Sequence, residues 1–209
     1  MTDSPVALVT GAGRGIGKAV AHVLASDGYD IVVNDIDGDS ATAVAEAIAE
    51  GESEATAIVA DVSDPGAVDR LIEETLDRFG RIDALVNNAG IETVAPFLEL
   101  ETEEWDLVMN TNLRGVFVLT QRVATEMIER DISGAIVNIT SIHQDVPRKE
   151  KNHYDASKAG LWMLTKDMAL ELAEHKINVN AVAPGAIRTS MNEEVWRSPD
   201  QLEAMNEDT

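Results

Sequence analysis

Short apolar runs rich in β-branched residues alternate with helix-length amphipathic stretches along the whole chain, and this alternation is the tightest constraint on the fold. A strand buried on both faces reads as a continuous apolar run, whereas the helix after it turns one stripe inward and leaves the rest to water. The pattern predicts strands at residues 7–10, 31–34, 56–60, 84–87, 135–139 and 178–183, with helices at 15–26, 40–49, 65–79, 103–129 and 153–174. Strands alternating with helices form a parallel sheet covered on both faces, a three-layer, doubly wound α/β arrangement. The punctuation agrees: Ser63 or Asp64 can cap a helix opening at Pro65, and Gly28, Gly51 and Gly80 follow helix ends. The 209 residues, 44% of them hydrophobic, suffice for one domain with a sizeable core but not for two. Beyond Pro184 the pattern turns polar, and a short helix is expected around residues 199–205.

Charge narrows the range of partners. With 38 Asp and Glu against 16 Lys and Arg, the formal net charge is −22. Nucleic acid is excluded as a partner, because phosphate binding needs clustered Lys and Arg. The acids are spread through helical patterns such as 40–50 and 64–79, so they read as solvated helix faces rather than as a tail. Self-repulsion at this charge destabilises a compact state unless salt screens it, with a Debye length of roughly 3 Å at 1 M. The expectation is an acidic-surfaced, halophilic protein working in a salt-rich cytoplasm. No apolar run approaches the roughly 18 residues of a membrane span, and no basic region with a cleavage site precedes Val6, so no membrane or secretory route is expected. There is no cysteine, and no pair among His22, His143, His153 and His175 has metal-ligand spacing, so no metal is expected.

Directly after the first predicted strand, and opening a helix, stands Thr10-Gly11-Ala12-Gly13-Arg14-Gly15-Ile16-Gly17. Glycines permit a tight turn and close backbone approach to a pyrophosphate, while the helix N-terminus offers free N–H groups and partial positive charge. In this strand-to-helix context the pattern marks a Rossmann-like dinucleotide site. Asp35, at the end of the second strand, can accept from the ribose hydroxyls and repel a 2′-phosphate, favouring NAD over NADP. An aspartate there also serves as a loop or cap residue, and Arg14 can meet a phosphate. Asp61 and Val62 follow the third strand, and Asn88, Ala89 and Gly90 follow the fourth, at the strand ends where ligands bind in such sheets. The Asn87-Asn88-Ala89-Gly90 run fits adenine-side hydrogen bonding and also fits a plain turn.

Tyr154 and Lys158 are spaced i and i+4 in a helical pattern and share a face, and Ser141 follows the fifth strand. Oxidising an alcohol needs a base for the hydroxyl proton as hydride leaves carbon. A free phenol, with a pKa of about 10, is too weakly ionised near neutrality to serve. A nearby ammonium favours the phenolate, and a serine hydroxyl can hold the substrate oxygen. Alone, Tyr-x-x-x-Lys is a common helix pattern of a part-buried ring beside a solvated amine.

Taken in order, the glycine turn, Asn87-Asn88-Ala89-Gly90, Ser141, Tyr154-x-x-x-Lys158 and Pro184-Gly185 make the chain resemble the short-chain dehydrogenase/reductase family over nearly its whole length. The stretches 141–145 and 153–154 look similar to its glucose 1-dehydrogenase and 3-oxoacyl reductase branch. The resemblance implies strand order 3-2-1-4-5-6 with Ser141, Tyr154 and Lys158 as catalytic group. It also implies that Asn112 positions a water linking Lys158 to solvent; alone, Asn112 is a mid-helix polar residue or the cause of a helix distortion. Pro184, Gly185, Ile187 and Thr189 match the segment that embraces the nicotinamide, and 184–209 the substrate-covering segment. The family's usual seventh strand has no counterpart before Thr209, so an exposed sheet edge or a changed subunit contact is expected, with a homo-oligomer, tetrameric if that strand exists. Val195, Trp196 and Met205 are candidates to cover a small-molecule substrate, of sugar or 3-oxoacyl class, and His143 to touch it. The alternatives are a catalytically silent NAD-binding scaffold, and an epimerase or dehydratase, for whose larger substrate domain the chain has no room.

Overall fold

The computed structural model describes residues 4–187. Thr189, Val195, Trp196, Met205 and the helix expected at 199–205 lie outside these residues. Six parallel strands form one sheet in the order β3-β2-β1-β4-β5-β6. They are β1 (Val6–Thr10), β2 (Asp30–Asp35), β3 (Ala55–Val59), β4 (Ala84–Asn87), β5 (Ala135–Ile139) and β6 (Asn178–Val182). This is the expected Rossmann-like order, with β3 and β6 at the edges among the described residues.

Alternation along β1 shows how the layers assemble. Val6 and Leu8 face a core built with α3 (Pro65–Phe79) and α5 (Val116–Glu129), while Ala7 and Val9 face one built with α1 (Gly15–Ser26) and α2 (Gly38–Ala49). Successive side chains of a strand point to opposite faces, so a central strand must be apolar at every position, as β1 is up to its final threonine. The inner part of α6 (Asn152–Leu172) joins the first core through Met168, Ala169 and Leu172. β1 registers with β2 from Val6↔Asp30 to Thr10↔Asn34, so the two strands end level and present Gly11 and Asp35 at the same rim.

The helix expected at 103–129 is interrupted. α4 (Thr102–Met109) passes into a π-helical turn, Asn110–Gly115, before α5 begins. The physical reason is local crowding and a buried amide. A Cβ on Gly115 would lie 2.5 Å from the Val62 carbonyl oxygen, so the helix backbone lies directly against the loop after β3. Asn112, fully buried, is held by its side chain to Ile91 and Ser157. Single π-turns of this kind concentrate at functional sites.

A buried polar ladder fixes α6 over the sheet. Asn87 Nδ2 donates to Thr120 Oγ1 (2.9 Å) and Asn138 Oδ1 (2.8 Å), and Asn138 Nδ2 donates to Thr165 Oγ1 (2.9 Å). Each buried donor stranded by a break in this ladder costs about 1–3 kcal/mol, which ties α6 to one position on β4 and β5.

Candidate active site

Because all strands run the same way, their carboxyl ends share one rim, and loops leaving that rim meet there. At the end of β1 the chain turns through Gly11 (φ +59°) and Gly15 (φ +55°). A Cβ on Gly17 would lie 2.4 Å from both Asn88 Nδ2 and the Gly11 carbonyl oxygen, so only glycine fits there. α1 opens at Arg14 with no side-chain cap, whereas Asp37 caps α2 and Asp64 caps α3. The first amides of α1 therefore lack the side-chain acceptor that α2 and α3 carry, as do those of α4 and α6, and Arg14 and Gly15 are exposed beside them. That uncapped end of a twelve-residue helix, reached through a turn too tight for side chains, fits the pyrophosphate of a dinucleotide.

Asp35 lies at the same rim. Its Oδ2 accepts from the Gly13 N–H (2.9 Å) and its Oδ1 from the Asp37 N–H (3.1 Å). Asp61 Oδ1 accepts from the Ser63 N–H, turning the chain after β3, and Val62 is buried beneath it. The asparagines work inward: Asn87 belongs to the buried ladder, and Asn88 Nδ2 donates to the Thr10 and Gly11 carbonyls, both at 2.9 Å. Thr10 Oγ1 in turn accepts from the N–H groups of Asn88 and Ala89, both at 3.0 Å. The 87–90 run is therefore a lock on the glycine turn.

Ser141, Tyr154 and Lys158 gather where β5 ends and α6 begins. Ser141 Oγ accepts from the His143 N–H (3.1 Å), capping a 3-10 turn, Ile142–Gln144. Lys158 is buried, its Nζ donates to the Ile139 carbonyl (2.8 Å), and it lies 5.6 Å from the centroid of the Tyr154 ring. Burial pushes the Lys158 ammonium down to about 8, with the Glu92 carboxylate acting against that shift. Burial also pushes the Tyr154 phenol up, Glu92 and Asp155 add to this, and the Ser141 hydroxyl and Arg148 guanidinium pull it down. The net direction is opposite to the lowering that residue types alone suggest. Asn112 is anchored by its amide: Oδ1 accepts from the Ile91 N–H, and Nδ2 donates to the Ile91 carbonyl and Ser157 Oγ. Gly90 faces both Asn112 Oδ1 and Lys158 Nζ, which a Cβ there would approach to 3.2 and 3.6 Å. Pro184 accepts from the Ile142 N–H (3.1 Å), bringing Pro184 and Gly185 beside the Ser141 turn, and Ile187 is exposed. His143 Nδ1 bonds the Val146 carbonyl.

Sequence reasoning missed an ion-pair group around Tyr154. Arg148 Nη2 bridges Glu92 (3.0 Å) and Asp155 (3.1 Å), Lys151 also pairs with Glu92, and the Arg148 guanidinium lies 5.2 Å from the Tyr154 ring centroid. The visible signal was the basic Arg148-Lys149-Glu150-Lys151 run, anomalous in so acidic a chain and placed just before Tyr154.

The chain matches the model of the short-chain dehydrogenase family over residues 5–200. It is 47% identical over 196 residues to a 3-oxoacyl-[acyl-carrier-protein] reductase of Synechocystis, covering 93% of this chain and 78% of that protein. It is 40% identical to 3beta-hydroxysteroid dehydrogenase 1 of Eggerthella lenta, over 92% of this chain and 74% of that one. Among solved structures, a gluconate 5-dehydrogenase from Burkholderia cenocepacia, in complex with NADP and tartrate, superposes with a TM-score of 0.89 at 38% identity, over 96% of this chain and 78% of that one. The chain belongs to the short-chain dehydrogenase/reductase family, oxidoreductases that act on CH–OH or carbonyl groups with NAD(P). No helix among the described residues is long and apolar enough to cross a membrane.

Proposed function

We infer that the protein moves a hydride between NAD, in preference to NADP, and a carbon bearing a hydroxyl or ketone, with Ser141, Tyr154, Lys158 and Asn112 as its working group. The observation that carries this reading is the meeting of the Ser141 hydroxyl and the buried Lys158 ammonium around one phenol at the rim where the uncapped end of α1 also opens. Ser141 Oγ accepts from His143 and its hydroxyl also bonds the Tyr154 phenol, so a substrate oxygen entering there would be held between the two hydroxyls. Tyr154 takes the hydroxyl proton in oxidation and returns it in reduction. Lys158 holds its charge beside that ring through the Ile139 carbonyl. Asn112, by clamping Ile91 to the π-turn, keeps the floor behind Gly90 and Lys158 in place. Its Oδ1 carries one amide and keeps a lone pair for a proton-relaying water beside Lys158.

Bound NAD supplies the hydride acceptor or donor. Gly11, Arg14, Gly15, Ile16 and Gly17 would hold its pyrophosphate; Asp35, Asp61 and Val62 its adenosine; and Asn88, Ala89, Gly90, Pro184, Gly185, Ile187 and Thr189 its remainder. Each Asp35 oxygen carries one amide and keeps a lone pair for a ribose hydroxyl, while its charge opposes a 2′-phosphate. The names of the relatives favour sugar-acid or 3-oxoacyl thioester substrates. The apolar groove between the π-turn, α5 and α6, lined by Leu113, Phe117, Met163 and Leu164, supports assembly into a homo-oligomer.

The test is a panel of alcohols, sugars, sugar acids and oxoacyl thioesters with NAD(H) and NADP(H), following absorbance of the reduced nicotinamide. Turnover with NAD(H) above NADP(H) is expected. A preference for NADP(H) overturns the Asp35 reading, and NAD binding without turnover of any substrate favours a silent scaffold.

A further inference from the structure

Two cations lie over the Tyr154 ring, Arg148 at 5.2 Å and Lys158 at 5.6 Å from its centroid. Lys158 sits one helical turn along α6. Arg148 comes from the segment before α6, and its placement is expensive to arrange. Its Nη2 is shared by Glu92 from the loop after β4 and Asp155 on α6, and its backbone N–H donates to Asp155 Oδ2 (2.8 Å). Its Nε is buried without a hydrogen-bond partner among the described residues. A guanidinium placed only to pair with carboxylates would present its fork to one of them. This one leaves a donor unused and keeps its plane near an aromatic ring.

We propose that Arg148 and Glu92 act as an opposed charge pair on Tyr154, with Arg148 the positioning residue whose cation eases release of the phenol proton and Glu92 the anion that restrains it. The side chains of Arg148, Glu92 and Asp155 are 23%, 20% and 11% exposed, so solvent screens them weakly and their charges reach the ring. The directions agree with the geometry: Glu92 and Asp155 raise the phenol and Arg148 lowers it. Burial alone would raise the Glu92 carboxyl, yet Lys151 and Arg148 hold it below its ordinary range, so it stays an anion at working pH. The remaining polar and charged neighbours are accounted for. Ser141 bonds the phenol from the end of β5, Lys158 and Asp155 lie on α6, Lys151 pairs with Glu92, His143 is bonded to Val146, and His153 is bonded to Thr93.

A charge role and a bracing role predict different signs. Removing Arg148 takes away a cation and leaves Asp155 and Glu92 less compensated, so the phenol moves up. Removing the Glu92 charge moves it down. If the group merely braces the loops, both substitutions loosen them and admit water to the ring, which moves the titration down in both. The chain has only two tyrosines, Tyr29 and Tyr154, so a Tyr29→Phe background leaves one phenol whose near-ultraviolet phenolate absorbance reports Tyr154 directly. Within the pH range where circular dichroism shows each protein folded, Glu92→Gln is expected to titrate lower than its parent and Arg148→Met higher, each by roughly half a unit to one unit. Arg148→Lys, which keeps the charge, stays between its parent and Arg148→Met. Shifts of the same sign, or an unshifted Glu92→Gln, overturn the proposal. Arg148→Gln, expected to titrate higher than its parent in the same way, takes the place of Arg148→Met if the latter does not fold. The kinetic counterpart, displacement of the basic limb of kcat/KM for alcohol oxidation in the same directions, rests on Tyr154 being the proton-transfer group. Phenol titrations that move as expected while that limb stays fixed support the charge pair and count against the assignment of Tyr154.

Discussion

At the ends of β1 and β2 the site is made of backbone: a turn through Gly11 and Gly15, a helix end without a cap, and a carboxylate already carrying two amides. At the ends of β4 and β5 it is made of buried side chains: Asn87, Asn112, Asn138, Ser141 and Lys158 are all nearly or fully enclosed. On the proposed reading the first side meets a pyrophosphate, for which amide N–H groups and space suffice. The proposed catalytic side would hold a proton on one oxygen at the right pH, which requires charges placed in a poorly screened interior. One side is therefore constrained mainly in volume, with the Asp35 carboxylate its charged contact. On the other, single side-chain atoms matter, and a π-turn and a 3-10 turn set them in place.

Substitutions that touch one side only will separate the two. The largest effect is expected from Tyr154→Phe, which removes the oxygen proposed to transfer the proton and should lower kcat by about 10²–10⁴-fold. Equilibrium titration with NAD should be nearly unchanged, and joint loss of turnover and NAD affinity would show the two sides to be coupled. Gly17→Ala is the converse. Its new methyl would sit 2.4 Å from Asn88 Nδ2 and the Gly11 carbonyl oxygen, and overpacking of this kind costs about 1–3 kcal/mol. Denaturant unfolding should show that loss together with weakened NAD binding.

Lys158 sharpens the comparison through pH. Its folded pKa of about 8 lies below its ordinary 10.5, so between these values the unfolded chain binds more protons and stability rises with pH. This contribution is complete above 10.5 and is lost as pH falls through about 8. Melting temperatures measured across that window should climb for the parent relative to Lys158→Met, and parallel curves would count against the buried ammonium. The smallest effect concerns the surface common to both sides. With a net charge of −22, melting temperature should rise between dilute buffer and molar KCl, and no rise would remove the case for a salt-adapted surface.

Much of this was legible in the sequence for physical reasons that differ by region. The strands declare themselves because β1, β2 and β4 are buried along their whole length and cannot alternate, and Asp64-Pro65 declares α3 because capping is a local event. The glycine turn is legible because its constraint is steric and falls on consecutive residues. The π-turn was legible only as one of two readings of Asn112, a helix distortion, since the contacts that accompany it, to Val62 and Ile91, lie elsewhere in the chain. Arg148 and Glu92 are 56 residues apart, and a basic residue before a helix carries no sign of the partner it will meet. Nothing local reveals that the Asn88 amide is drawn back to Thr10 and Gly11, because those partners lie 78 and 77 residues away.

That lock has a consequence for how the protein comes into being. The glycine turn is written within the first 17 residues, but the groups that hold it in shape arrive with Asn88 and Ala89, 78 and 79 residues after Thr10. A chain leaving the ribosome cannot close this clasp until β4 has emerged, because long-range parallel pairing waits on the later strand. The glycine turn, written ahead of β4, is thus among the later parts to mature, and a nascent chain stopped short of Asn88 carries its most recognisable motif in an unfinished form.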